Sequence, residues 1–123
     1  MHEAIAPRLE EVGREIVDSA LKVHKWLGPG LLESAYEHCL AHELTERGLQ
    51  IERQVALPIL YGGLKLDAGY RLDMLVEQTV VVEVKAVEAM TRLFEAQLLT
   101  YLKLSGCRLG YLIKFNAVLL RQG

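Results

Sequence analysis

Residues 80–87 read Val-Val-Val-Glu-Val-Lys-Ala-Val, with 6 apolar positions around one acid and one base. A run so rich in β-branched residues favours a strand. A strand apolar on both faces belongs in the interior of a sheet covered on both sides. Side chains alternate along a strand, so Glu83 and Lys85 share one face. Charge on a buried face is costly unless it is paired, hydrogen-bonded or bound to a metal. Whatever else the chain builds must therefore bring compensating groups to that face.

The rest of the chain supplies a sheet and its covers. Residues 9–27 carry apolar side chains at Leu9, Val12, Ile16, Ala20, Val23 and Leu27, close to the helical period. Gly28-Pro29-Gly30 ends this helix. Residues 31–47 form a second helix, with a core stripe of Leu32, Tyr36, Leu40 and Leu44, Cys39 beside it, and Gly48 as its C-terminal cap. From Gln50 the pattern is strand-like. Residues 55–61 are apolar but broken by Pro58, as in an edge strand or a bulge. Gly62-Gly63 signals a hairpin into a short return strand, 64–66. Strands follow at 70–76 and 79–87, joined by a tight turn at Glu77-Gln78. A third helix spans 91–105, ended by Gly106, and a strand spans 108–115. Residues 117–120 have the pattern of a further strand. Trp26 and Phe94 read most simply as core residues. The helix between 87 and 108 is a crossover that favours parallel strands, whereas the short turns before it favour antiparallel ones. The expected architecture is α/β with a mixed central sheet flanked by helices.

Composition sets limits. A length of 123 residues predicts one domain, and 51% hydrophobic with 24% charged residues excludes disorder. A formal net charge of −2 is not that of a polybasic tail, so nucleic-acid contact would have to come through a local patch or metal ions. No apolar run approaches the roughly 18–20 residues that span a bilayer, so no membrane partner is expected. Glu3, Glu10 and Glu11, with no uninterrupted apolar stretch, speak against a signal peptide. Cys39 and Cys107 lie far apart, as in reduced thiols of a cytoplasmic protein, although a disulfide stays open. His38 and His42 have metal-chelating i, i+4 spacing but lack the glutamate of a His-Glu-x-x-His site. They read as an exposed polar helix face.

The run 70–76 holds Asp73 as the one acid of an otherwise core-like strand. A hairpin brings it beside Glu83. Two carboxylates supply oxygen ligands for a hard divalent cation. A neighbouring ammonium can orient water and offset developing negative charge. The structural alternative is an ion pair between Glu83 and Lys85. Glu33 borders the core stripe of its helix and is either a further acid for this site or a first-turn acid favoured by the helix dipole. Gln97 and Tyr101 lie on one helical face four residues apart, with polar ends able to orient Lys85, a phosphate or a water. Tyr36 reads as a core aromatic. Arg71, Arg92, Lys103, Arg108 and Lys114 form either a phosphate-facing rim or scattered solvated charge.

Asp73 followed at nine residues' remove by Glu83-Val84-Lys85 resembles the motif of the PD-(D/E)XK nuclease superfamily. Leu72 stands where the motif's name has proline. Gly30-Leu31-Leu32-Glu33-Ser34-Ala35-Tyr36 resembles the signature of the bacterial GxxExxY proteins, a branch of it. Gln97 to Tyr101 resembles the Gln-x-x-x-Tyr motif of RecB-type exonuclease domains. The resemblance implies a restriction-endonuclease-like fold and a metal-dependent nuclease, with DNA favoured as substrate. It implies Mg²⁺ or Mn²⁺ held by Asp73 and Glu83, with Glu33 and the carbonyl of Val84. Lys85 would activate water, and Gln97 and Tyr101 would complete the catalytic set. A non-catalytic binding or regulatory module on the same fold is the alternative. The small size leaves room for a homodimer or a protein partner.

Overall fold

The computed structural model describes residues 7–86 and 92–115. Its elements run α1 (Pro7–Leu27), α2 (Glu33–Glu46), β1 (Ile51–Ala56), β2 (Ile59–Tyr61), β3 (Leu64–Leu66), β4 (Arg71–Val76), β5 (Val80–Lys85), α3 (Arg92–Ser105) and β6 (Leu109–Lys114). The main sheet has the order β1-β4-β5-β6, with β1/β4 and β4/β5 antiparallel and β5/β6 parallel. This is the expected mixed α/β architecture, and the crossover through α3 gives the parallel pair. Val87 and Thr91, expected at the ends of a strand and a helix, and the strand pattern of 117–120 lie outside the described residues.

Pro58 divides 55–61 more completely than a bulge would. β1 starts earlier, at Ile51, and ends before the proline, and β2 pairs only with β3 in a separate two-stranded sheet. Both tight turns use left-handed backbone. Glu77 and Gln78 have φ of 53° and 57°, the two positive values of a type I′ hairpin turn.

The sheet is covered on both faces. Val80, Val82 and Val84 of β5 pack with Met74 and Val76 under α1 and α2. On the other face Val81 packs with Leu72, Val55 and Leu57 under Leu98, Tyr101 and Leu102 of α3. β5 therefore lies between two strands and two helical layers, as its apolar run requires. Close approach of α3 to β6 depends on Gly110, where a Cβ would meet Leu98 and Leu102 at 3.0 Å.

Tyr36 is fully buried and stacks on Phe115, with ring centroids 4.6 Å apart. Its hydroxyl donates to the Gly28 carbonyl and accepts from the Leu31 N–H. It thus ties the α1–α2 connection, in which Gly30 has φ of 101°, a conformation glycine adopts without strain. Two expected core residues are not in the core. Trp26 is 80% exposed and Leu32 77% exposed. Trp26 lies off the buried stripe Val12, Ile16, Ala20, Val23 of α1. Leu32 precedes the first turn of α2 as its N-cap, so the helical stripe begins only at Tyr36. His38 and His42 are exposed as expected. Removing the hydroxyl in Tyr36→Phe keeps the stacked ring and should lower stability by about 1 kcal/mol. Tyr36→Ala should cost about 3–5 kcal/mol. Urea denaturation of both variants checks the ratio; equal losses would exclude packing as the main role of this tyrosine.

Candidate active site

The β4–β5 ladder pairs Val76 with Val80, Leu75 with Val81 and Met74 with Val82. The next facing residues are Asp73 and Glu83, and here side chains take over from carbonyls. The Asp73 N–H donates to Glu83 Oε2 at 2.9 Å, and the Val84 N–H donates to Asp73 Oδ2 at 2.8 Å. Just past the end of β5, the Ala86 N–H donates to Glu33 Oε2 at 3.2 Å, from the first turn of α2. Three acids from β4, β5 and α2 thus collect along one end of β5. Each meets a backbone N–H that buried strands must otherwise satisfy by pairing.

An irregularity in β1 accompanies this opening. Arg53 pairs with Met74 and Val55 with Leu72, but Gln54, opposite Asp73, is left out of the ladder and has φ of 54°. A non-glycine residue in this region is uncommon and strained. On one side of it Ile51, Met74 and Val76 face α1 and α2; on the other Val55 and Leu72 face α3. Both strands change face together at the level of Asp73. Gln54 Nε2 donates to both oxygens of Glu37, at 2.9 and 3.1 Å, and Arg53 pairs with Glu37 at 2.8 Å.

Glu37 is the residue that sequence reasoning missed. It is 5% exposed, and its charge acts on both Asp73 and Glu83. The signal was present: an acid one turn after Glu33, between Tyr36 and Leu40 on the buried side of α2. Lys85 has its Nζ 4.9 Å from the centre of the Phe94 ring of α3, a cation–π arrangement. It lies on the α3 side, the side of Val81, as alternation predicts. Gln97 and Tyr101 both line a cavity of about 260 Å³ beside the sheet. The Tyr101 hydroxyl is raised by burial and then by the charges of Glu83 and Asp73, which puts it in electrical reach of both acids.

The sequence profile of the PD-(D/E)XK nuclease superfamily matches residues 10–123. The chain belongs to the PD-(D/E)XK nuclease superfamily. No curated protein and no solved structure shows significant similarity to it. The mixed four-stranded sheet with its three helices accords with the restriction-endonuclease-like fold. Membership suggests nuclease activity and nucleic-acid binding, and PD-(D/E)XK nucleases typically use divalent metals. Among the described residues no helix is long and apolar enough to cross a membrane.

The PD-(D/E)XK motif residues fit a hard divalent cation by their donor chemistry. Asp73 and Glu83 are adjacent carboxylates, and each spends only one oxygen on the backbone. Burial pushes Glu83 up to about 7, with the charge of Asp73 adding to it and Lys85 opposing it. Asp73 is raised by burial, against its bond from Val84, with Glu37 and Glu33 adding. A cation between them would relieve both. Among the described residues, however, no three histidine, cysteine, aspartate or glutamate side chains lie close enough to share one ion. Glu33, Asp73 and Glu83 are each engaged with a backbone N–H instead.

The perturbation of Glu83 has a sign. Its carboxyl titrates near 4.5 when unfolded and near 7 when folded. The folded state keeps the extra proton between these values, so stability is greatest below pH 4.5 and falls as pH rises through 7. The loss amounts to about 3 kcal/mol. Glu83→Gln should remove it, so the variant exceeds the parent in stability at pH 8 and matches it near pH 4. Mn²⁺ at about 100 times its dissociation constant should restore about 3 kcal/mol to the parent at pH 8 and little to the variant. Urea denaturation with and without Mn²⁺ at the two pH values measures this; a pH-independent difference would remove Glu83 as the source.

Proposed function

We propose that the chain is a GxxExxY-type nuclease that hydrolyses phosphodiester bonds in nucleic acid, DNA in the first place, with Mg²⁺ or Mn²⁺. The observation that carries this reading is the pair Asp73/Glu83 at the opened end of the β4–β5 ladder, with Lys85 beside it. Residues 1–123 are taken as one catalytic domain. The free thiols of Cys39 and Cys107 support a reducing, cytoplasmic setting.

Asp73 and Glu83 would hold the ion, with Glu33 and the Val84 carbonyl completing the set once Glu33 leaves the Ala86 N–H. When bound, the ion would polarise the scissile phosphate and stabilise the leaving oxygen. Lys85, steadied on Phe94, positions the attacking water and assists loss of its proton to solvent. Water oxygen bonds to phosphorus, the ester P–O bond breaks, and the departing oxygen gains a proton. Gln97 and Tyr101 hold substrate on the α3 side. Arg71, whose Nη1 donates to the Gln54 carbonyl at 3.3 Å, supplies positive charge next to Asp73.

A second reading is a non-catalytic nucleic-acid or protein-binding module, acting as a homodimer or with a partner. It is favoured by the engagement of Glu33, Asp73 and Glu83 with backbone N–H groups. The test is cleavage of labelled single- and double-stranded DNA and RNA by purified protein in Mn²⁺, beside calorimetric titration with Mn²⁺. Cleavage should fall by at least about 100-fold in Asp73→Ala and Lys85→Ala, the scale of losing a charge-stabilising group. Metal binding without turnover would replace the nuclease by the module, and activity that survives both substitutions would belong to a contaminant.

A further inference from the structure

The cavity beside the carboxylates is built from three segments. Ile59 of β2 and Tyr70, just before β4, face Leu93, Gln97, Thr100 and Tyr101 of α3. Its volume of about 260 Å³ is below the usual range for a drug-sized ligand, and it has no room for a duplex. Its lining is two phenol rings, aliphatic walls, one carboxamide and one hydroxyl. The rings offer stacking faces and the carboxamide can both donate and accept. That chemistry suits one flat, polar-edged heterocycle.

The cavity approaches the proposed catalytic centre through one residue. Tyr101 belongs to both, lining the cavity while sensing the charges of Glu83 and Asp73. Tyr70 lies three residues before Asp73 on the same run of chain. It is 46% exposed and Leu93 is 63% exposed, so the mouth opens to solvent and its apolar rim is uncovered. A phosphate at Asp73/Glu83 carries its base on a short tether, and Tyr101 and Tyr70 place an apolar recess on the side of the acids where such a base would lie.

We propose that this recess is a nucleobase subsite, which makes the preferred substrate a nucleic acid with an unpaired nucleotide next to the scissile phosphate. The inference rests on the nuclease reading and names its substrate class. A base inside a duplex is stacked on both faces and cannot enter such a recess without leaving the stack. A single strand, a flap or a frayed end presents it at no such cost. Stacking is tolerant of base identity, and Gln97 alone adds only a weak preference.

The experiment uses the full chain. Anisotropy of a short labelled oligothymidylate is compared with that of an abasic strand of the same phosphate count and with a blunt duplex. All are measured in Ca²⁺, with cleavage in Mn²⁺ run in parallel. The oligothymidylate should bind about ten-fold more tightly than the abasic strand, in line with stacking of one base. In Ala96→Phe, which fills the recess from an exposed position of α3, the ratio should fall to about one. Tyr70→Ala should do the same if Ala96→Phe fails to fold, as checked by circular dichroism. Equal binding of abasic and base-containing strands by the parent, tighter binding of the duplex, or an unchanged ratio in the folded variants would each overturn the subsite. Absence of Mn²⁺-dependent cleavage of every strand would instead overturn the nuclease reading, while the binding ratio would still report on the recess.

Discussion

Two backbone N–H groups at the end of the β4–β5 ladder terminate on carboxylates where a regular sheet would use carbonyls. Asp73 supplies one N–H and receives the other from Val84; Glu83 closes the exchange. The arrangement solves two problems at once. Buried amides need acceptors, and buried carboxylates need donors. By answering each other they let β4 part from β5 without leaving orphaned polar groups, and they fix both acids at the mouth of the opening. Replacing either acid by an aliphatic residue therefore removes a ligand and also strands an amide, so the amides Asn and Gln are the cleaner substitutions for separating chemistry from folding.

Much of this was legible because it rests on strand periodicity and turn chemistry. The apolar run around Glu83 and Lys85 demanded a covered central strand, and β5 lies between β4 and β6 under helices on both faces. The hairpin pairs Val76 with Val80 across three residues, one more than a Glu77-Gln78 turn alone implies, and it is this register that sets Asp73 opposite Glu83. Other features were out of reach for physical reasons. No pattern in 50–61 reveals that Gln54 takes a left-handed conformation, because that is imposed by the neighbours it serves. Glu37, by contrast, was marked by its place between Tyr36 and Leu40 and was overlooked because a charged residue on a helix normally points to water. Here Arg53 and Gln54 come from a strand distant in sequence to receive it. Trp26 was misjudged from hydrophobicity alone, which says little about burial at a helix end, and Leu32 from a helical stripe that begins only after it, since Leu32 is the N-cap.

Glu37 deserves weight equal to the motif residues in any account of the electrostatics. It stands within the field of both Asp73 and Glu83, and its partners Arg53 and Gln54 flank the point where β1 and β4 change face. Negative charge is concentrated there by several acids from separate elements, against Lys85 and Arg53. The overall charge of the chain is nearly balanced, and that balance conceals a local excess suited to a cation and, through it, to phosphate.

β1 and β4 pair directly, yet the chain between them makes an excursion through β2 and β3, which join neither strand. The register of the main sheet is thereby independent of the length and sequence of that excursion. Variation can accumulate in the hairpin without displacing Asp73 from Glu83. Ile59 of this hairpin forms a wall of the recess next to the acids. The fold thus separates the sheet that positions the acids from the hairpin that walls the recess, so a change in the shape of one need not propagate into the register of the other.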